Sequence, residues 1–279
     1  MNTVRELLAL SINLDSETPR LDAELLLCHC LGKSRSWLYT WPDKTLAASV
    51  VENYCSLLQR RARGEPVAYL TGHQGFWSLE LMVSPATLIP RSDTETLVEH
   101  VLLLSLPTKA RLLDLGTGTG AIALALASER PQWVICASDA SAQAVVLARS
   151  NSERLLSIDK PVDIRQGSWF EPWAGQRFDV IVSNPPYIEE DDAHLACGDL
   201  RFEPRSALVS GPLGLDAIQD IVKQAPDYLF DCAYLLLEHG YQQAEPVRTL
   251  LRERGFDAVT TVQDLAGRDR VSYGRWRIS

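Results

Sequence analysis

Residues 111–120, Arg-Leu-Leu-Asp-Leu-Gly-Thr-Gly-Thr-Gly, run an apolar strand straight into a turn with three alternate glycines, and a helical stretch from Ala121 to Glu129 follows. Few folds accept such a segment. Glycine lets the backbone turn tightly and approach a ligand closely, and the new helix offers free N–H groups at its start. No Gly-Lys-Ser/Thr follows, which excludes a phosphate-binding P-loop. Gly116, Gly118 and Ala121 also satisfy the looser G-x-G-x-x-G/A pattern of nicotinamide-binding folds. The turn itself therefore specifies only a nucleoside-type cofactor, held by Gly116, Thr117, Gly118, Thr119 and Gly120.

Beyond residue 110 strands and helices alternate, with strand candidates at 111–115, 133–138, 162–165, 178–183, 232–238, 256–263 and 270–276. Such alternation means a mostly parallel sheet covered by helices on both faces, and residues 87–279 are assigned to this domain. Within it, a helix from Leu97 to Leu104 precedes the first of these strands, with Asp93-Thr94 as its cap region. Residues 1–64 read differently: Val4, Leu7, Leu8, then Leu21, Leu25, Leu26, then Val50, Tyr54, Leu57, Leu58 recur at three and four, the period of a small helical bundle. Gly32, Pro42 and Gly64 punctuate it. Residues 65–86, broken by Gly72 and Gly75, predict a β-hairpin linking the two domains. With 279 residues, 46% of them hydrophobic, the chain can bury both cores.

Two further segments follow strand candidates directly. Asp139 stands about twenty residues past the glycines, where a ribose-binding carboxylate belongs; it would serve equally as a cap for the helix from Ser141. Asn184-Pro185-Pro186-Tyr187 ends the run 178–183. An Asn side-chain carbonyl and a backbone carbonyl, fixed by two prolines, can accept both hydrogens of a planar NH2 group, and Tyr187 offers a ring on which the target can stack. An amide or adenine N6 nitrogen is a poor nucleophile because its lone pair is delocalised. Two acceptors aimed at its N–H bonds favour the pyramidal, electron-rich form, the logic of an oxyanion hole with the sign reversed. As a bare tetrapeptide the same residues would also make an ordinary turn. Ligands in open α/β sheets bind at the carboxyl ends of strands, and four sequence regions that follow strand candidates, the glycine turn, Asp139, Trp169 and Asn184, converge there.

With these segments on the page, the chain resembles class I methyltransferases that use S-adenosylmethionine. More narrowly it resembles the bacterial release-factor glutamine N5-methyltransferases, the HemK-like or PrmC family. The matching segments are Phe76–Leu79, Leu88–Glu95, Asp114–Gly120, Asn184–Tyr187, Arg201–Pro204 and Leu237–Gly240. The resemblance implies a Rossmann-like, seven-stranded, mostly parallel sheet with a helical substrate-recognition domain before it. It implies that Gly116–Gly120 and Asp139 hold the cofactor, with Trp169 near its adenine and Asn184 bordering it. Asn184, Pro185, Pro186 and Tyr187 would grip the glutamine amide of a Gly-Gly-Gln motif in a peptide chain release factor. Arg91, Asp93 and Glu95 would line the site opposite Asn184. The sequence departs from the family where Ser168 replaces a common acidic residue and Ser92 a common proline.

Charge constrains the partners. The formal net charge is −9, and nucleic-acid binding draws much of its affinity from Lys and Arg, so direct DNA binding is not expected. The one dense basic cluster, Arg60-Arg61-Ala62-Arg63, suits a helix C-terminus before Gly64. Rival readings are an adenine-N6 nucleic-acid methyltransferase, a glutamine methyltransferase acting on a ribosomal protein, and a cofactor-fold binder without catalysis. Six cysteines lack C-x-x-C spacing and are expected as buried thiols, and Cys28-His29-Cys30 lacks a second ligand pair, so no metal is expected. No stretch reaches the about 20 apolar residues of a membrane span. A cytoplasmic monomer is the expectation.

Overall fold

The computed structural model describes residues 2–157 and 162–278. It divides into two compact units, one holding the residues up to His73 with Ala193–Phe202, the other Gln74–Asp192 with the residues from Glu203 onward.

The first unit is helical: α1 (Val4–Ala9), α2 (Pro19–Leu31), α3 (Arg35–Thr40), α4 (Ala48–Ala62) and α5 (Val67–Thr71). Thr3 and Glu6 cap α1 reciprocally, and Gly32, at φ +60°, closes α2 in the left-handed conformation. Val4, Leu7, Leu8, Leu26, Leu27, Tyr54 and Leu58 form the core. The face of α2 differs from the expected one. Leu26 is buried as expected, but Leu25 is exposed, and Asp22, Ala23 and Leu27 are buried beside Leu26. The reason is ionic: Asp22 accepts from Ser16, Thr18 and Arg61, and Glu24 from Arg20, Arg35 and Tyr39, so two acids turn inward. The basic cluster ending α4 is spent within this unit, Arg60 on Glu65 and Arg61 on Asp22 and Asp199.

Residues 65–86 hold more than a hairpin. Ala68 and Leu70 bury one face of α5, which Gly72 terminates at φ +75°, before β1 (His73–Phe76) and β2 (Leu79–Met82) pair. A 3-10 turn over Ser92–Thr94 then leads into α6 (Glu95–Leu103).

The remaining elements are β3 (Arg111–Leu115), α7 (Ala121–Glu129), β4 (Val134–Asp139), α8 (Ala142–Leu155), β5 (Asp163–Gln166), β6 (Phe178–Ser183), α9 (Asp216–Gln224), β7 (Leu229–Glu238), α10 (Ala244–Arg254), β8 (Asp257–Gln263) and β9 (Asp269–Arg275). Seven strands order as β5-β4-β3-β6-β7-β9-β8, the first five parallel and β9 antiparallel to both neighbours. Alternate residues face opposite layers. Leu112, Val180, Val182 and Leu236 pack with α6, α7 and α8, while Leu113, Ile181, Leu235 and Leu237 pack with α9 and α10. Burial on both faces is why these strands read as unbroken apolar runs. Leu113→Ala in this layer would cost about 2–5 kcal/mol.

Chain order reverses between β3 and β6, the switch point where ligand crevices open in such sheets. Register aligns the strand ends there: Leu115 pairs with both Ser138 and Ser183, Asp139 with Gln166, and Ser183 with Leu237. Of the six cysteines, only Cys136 is buried; four are half-buried and Cys197 is exposed on the segment 193–202, because the helical periodicity places several at the rim of the bundle core. No helix among the described residues is long and apolar enough to cross a membrane.

Candidate active site

Above the switch point lies a cavity of about 260 Å³. Gly116, Thr117, Gly118, Thr119, Asp139, Trp169, Asn184 and Pro186 line it, and Arg91, Ser168 and Thr94 join them. Gly120, Pro185 and Tyr187 are not among its lining residues.

The turn after β3 requires its glycines. Gly116 has φ +70°, and a Cβ there would lie 3.3 Å from the Trp169 ring; Gly120 has φ +87°, with Leu124 3.0 Å from where a Cβ would be. The Gly116 and Thr117 amides donate to the Ser138 carbonyl, tying the turn to β4. Trp169 itself occupies the left-handed region at φ +44°, a strained position for a bulky residue. The Ser138 hydroxyl holds it there by donating to its carbonyl at 2.8 Å.

Asp139 joins the two readings that the sequence left open. Its Oδ2 accepts from Gly118 N at 2.9 Å and its Oδ1 from Ser141 N at 2.9 Å, while the Ser141 hydroxyl caps α8. Burial raises the Asp139 pKa, and these two N–H groups offset only part of that. Such a carboxylate has lone pairs left for hydroxyl donors. Behind it, Asp114 Oδ2 accepts from the Thr117 hydroxyl at 2.6 Å and from Ala123 N, whereas Oδ1 is buried with no partner among the described residues. Burial pushes Asp114 up to about 7.

Asn184 crosses from β6 to α6: its Nδ2 donates to Thr94 Oγ1 at 3.0 Å. Its Oδ1 and the Pro185 carbonyl accept no hydrogen bond among the described residues. Thr94 is the residue that sequence reading missed. Its place before α6 suggests an N-cap, yet its side chain makes no capping bond. No local signal pairs it with a residue 90 positions away. Tyr187 donates its hydroxyl to Glu238 at 3.3 Å, and Gln243 secures the Tyr187 carbonyl at 3.0 Å. Arg91 reaches Glu203 at 2.6 Å. Asp93 pairs with Arg270 and Glu95 accepts from Trp77 N, so neither lines the cavity. His239 is fully buried, its ring bonded to the Gly240 carbonyl and Ser272.

A glycine turn, a carboxylate on the next strand and an Asn-Pro-Pro-Tyr loop, set along the carboxyl edge of this sheet, define a class I methyltransferase dependent on S-adenosylmethionine. The residues fit that cofactor: Asp139 presents oxygens bonded to two backbone N–H groups and to no cation among the described residues, and Gly116 leaves room beside a flat indole. Residues 9–72 match the PrmC N-terminal domain and residues 92–207 the methyltransferase small domain. The chain is 53% identical to the release factor glutamine methyltransferase of Pseudomonas aeruginosa over 276 residues, 99% of each chain. It is 49% identical to that of Escherichia coli over 261 residues, 94% of each. Among solved structures, a methyltransferase from Pyrococcus furiosus shares the fold with a TM-score of 0.54 at 17% identity, covering 81% of this chain and 100% of that one. The chain belongs to the release factor glutamine methyltransferase family.

Proposed function

We propose that this enzyme methylates the side-chain amide nitrogen of the glutamine in the Gly-Gly-Gln motif of peptide chain release factors, in the cytoplasm and as a monomer. The reading rests on Asn184: with Nδ2 committed to Thr94, its free carbonyl is the group left for the cavity. When bound, S-adenosylmethionine supplies an electrophilic methyl carbon on a sulfonium. Gly116–Gly120 and Asp139 hold the cofactor, with Trp169 beside the adenine. Asn184 Oδ1 and the Pro185 carbonyl accept the two amide hydrogens, which localises the nitrogen lone pair and aims it at the methyl carbon. Pro186 stiffens the loop, and Tyr187 braces it from behind. The proton released after transfer passes to water through the open cleft. Holding nitrogen and methyl at near-attack distance is worth roughly 7–11 kcal/mol over free encounter. The helical unit is the docking surface for the release factor, and DNA is not a ligand.

Asn184→Ala tests the assignment in a tritiated-methyl assay that offers purified release factor and plasmid DNA side by side. A fall of about 100- to 1,000-fold in kcat, with S-adenosylhomocysteine affinity unchanged, is expected. Undiminished transfer, or label entering DNA instead, overturns the reading.

A further inference from the structure

Gln243 stands just before α10, where a helix ordinarily takes a capping side chain, yet its carboxamide is not spent on capping. It turns instead to the loop after β6. Its Nε2 donates to the Tyr187 carbonyl at 3.0 Å, and the Leu213 and Gly214 carbonyls lie 3.2 and 3.4 Å from the same nitrogen. Its Oε1 accepts from Gly240 N at 2.9 Å. A backbone donor at one end and three carbonyls at the other leave this carboxamide one orientation, because its oxygen only accepts and its NH2 only donates. Gly214, at φ +66°, closes on the same carbonyl, and a Cβ there would overlap the Tyr187 oxygen.

Tyr187 is where the Asn184-Pro185-Pro186-Tyr187 loop ends. The sheet fixes its beginning: Ser183 pairs with Leu115 and Leu237, and its hydroxyl donates to the Leu115 carbonyl at 2.7 Å. In between, the rings of Pro185 and Pro186 lock two φ angles. With one end and the middle constrained, the Asn184 carboxamide and the Pro185 carbonyl stand where the far end sets them. Glu238 holds Tyr187 by its hydroxyl at 3.3 Å, and the Ile188 amide bonds the Leu208 carbonyl at 2.8 Å. The peptide group directly after the two prolines is held by Gln243.

We propose that Gln243 is a positioning residue for methyl transfer: by clamping the Tyr187 carbonyl it sets where the Asn184 and Pro185 acceptors meet the substrate amide nitrogen. The inference rests on the assignment of those two groups as the acceptors. Near-attack geometry is steep, and a misplacement of about 1 Å costs roughly 100-fold in rate. Gln243, Gly214 and Gly240 are not among the residues lining the cavity, so cofactor affinity should not follow the rate.

The experiment is methyl transfer to purified release factor, with S-adenosylhomocysteine binding by calorimetry alongside. Gln243→Glu keeps the shape but sets a carboxylate against three carbonyls, and kcat should fall by roughly 100-fold. Gln243→Met fills the same space and donates nothing, so a fall of about tenfold is expected. In both, kcat and kcat/KM for the release factor should drop together, with S-adenosylhomocysteine affinity at the wild-type value. The order wild type, Gln243→Met, Gln243→Glu separates hydrogen bonding from packing, which the Met variant preserves. Gly214→Ala, crowding the same carbonyl, should repeat the pattern. A Gln243→Met enzyme as fast as wild type, or cofactor affinity lost in step with kcat, overturns the clamp. If circular dichroism shows that Gln243→Glu does not fold, Gln243→Met and Gly214→Ala decide. Combining Asn184→Ala with Gln243→Met should cost far less than the product of the two losses, as for members of one unit, and a full product overturns the clamp. Asn184→Ala alone separates the two levels: wild-type transfer there removes the underlying reading. Its loss beside an unaffected Gln243→Met removes the clamp only.

Discussion

Asp22 and Glu24 in the helical bundle, and Asp114 and Glu238 in the sheet unit, are all buried, and their surroundings differ in kind. In the bundle each acid has an arginine: Arg61 lies 2.7 Å from Asp22, and Arg20 and Arg35 lie 2.9 and 2.8 Å from Glu24. In the sheet unit Asp114 and Glu238 each keep one oxygen with no partner among the described residues, and both are pushed up to about 7 by burial. A carboxylate that only holds helices together is best saturated by cations. One that serves a ligand site keeps capacity for a group arriving later and bears a cost in the resting fold.

Removing a saturated acid should therefore be the most damaging change. Asp22→Ala strips Arg61, whose side chain is only 12% exposed, of its main counterion and leaves Asp199 at 3.1 Å as its remaining acid. Breaking a buried pair in this way costs roughly 3–5 kcal/mol. Urea unfolding of the full chain measures it, and a loss under about 1 kcal/mol would erase the contrast between the units.

Asp114→Asn should act in the opposite direction. The folded pKa of Asp114 is raised, so its contribution to stability is fully present below the unfolded carboxyl pKa and is lost as pH rises through about 7. The amide carries no charge to bury. At pH well above 7 the variant should be more stable than wild type by roughly 2–4 kcal/mol, with the advantage vanishing in acid. Thermal melts at the two pH extremes read this directly; a variant less stable than wild type in alkali would show that the bonds from Thr117 and Ala123 outweigh the buried charge.

The same contrast explains what sequence reveals. Sheet and cofactor turn were legible because their signals are local: Val180, Ile181 and Val182 are consecutive apolar residues since both faces are covered, and Gly116 and Gly120 need positive φ. The phase of α2 was not, because polarity normally marks the outer face and here Asp22 and Glu24 point inward toward arginines up to 39 residues away. Thr94 was hidden similarly. Its local role as a cap is the one it does not perform, and its partner Asn184 comes from another strand end.

Glu24→Gln gives a smaller effect. Burial pushes the Glu24 carboxyl up, but bonds from Arg35, Tyr39 and Arg20 more than offset this and leave its pKa lowered. Its stabilisation is present above the unfolded pKa and disappears as pH falls through the folded value. Arg20 and Arg35 are half exposed, so the loss near pH 7 should be about 1 kcal/mol and should vanish in acid. A difference from wild type that is independent of pH would mean that packing, not charge, accounts for this acid.

Tyr187→Phe is the mildest and most pointed change. It keeps the ring behind the Asn184 loop and removes only the hydroxyl that donates to Glu238 at 3.3 Å, a contact worth about 1 kcal/mol or less at that length. Because the lost donor favoured the ionised carboxylate, the Glu238 pKa should rise further. Neutral Glu238 would then persist to higher pH, and the range over which its contribution to stability is lost as pH rises should extend upward by a fraction of a unit, which thermal melts across neutral pH read. Melts whose pH dependence matches wild type would mean that the Tyr187 hydroxyl does not set the charge of Glu238, and that the open oxygen of Glu238 is a packing feature of the sheet edge.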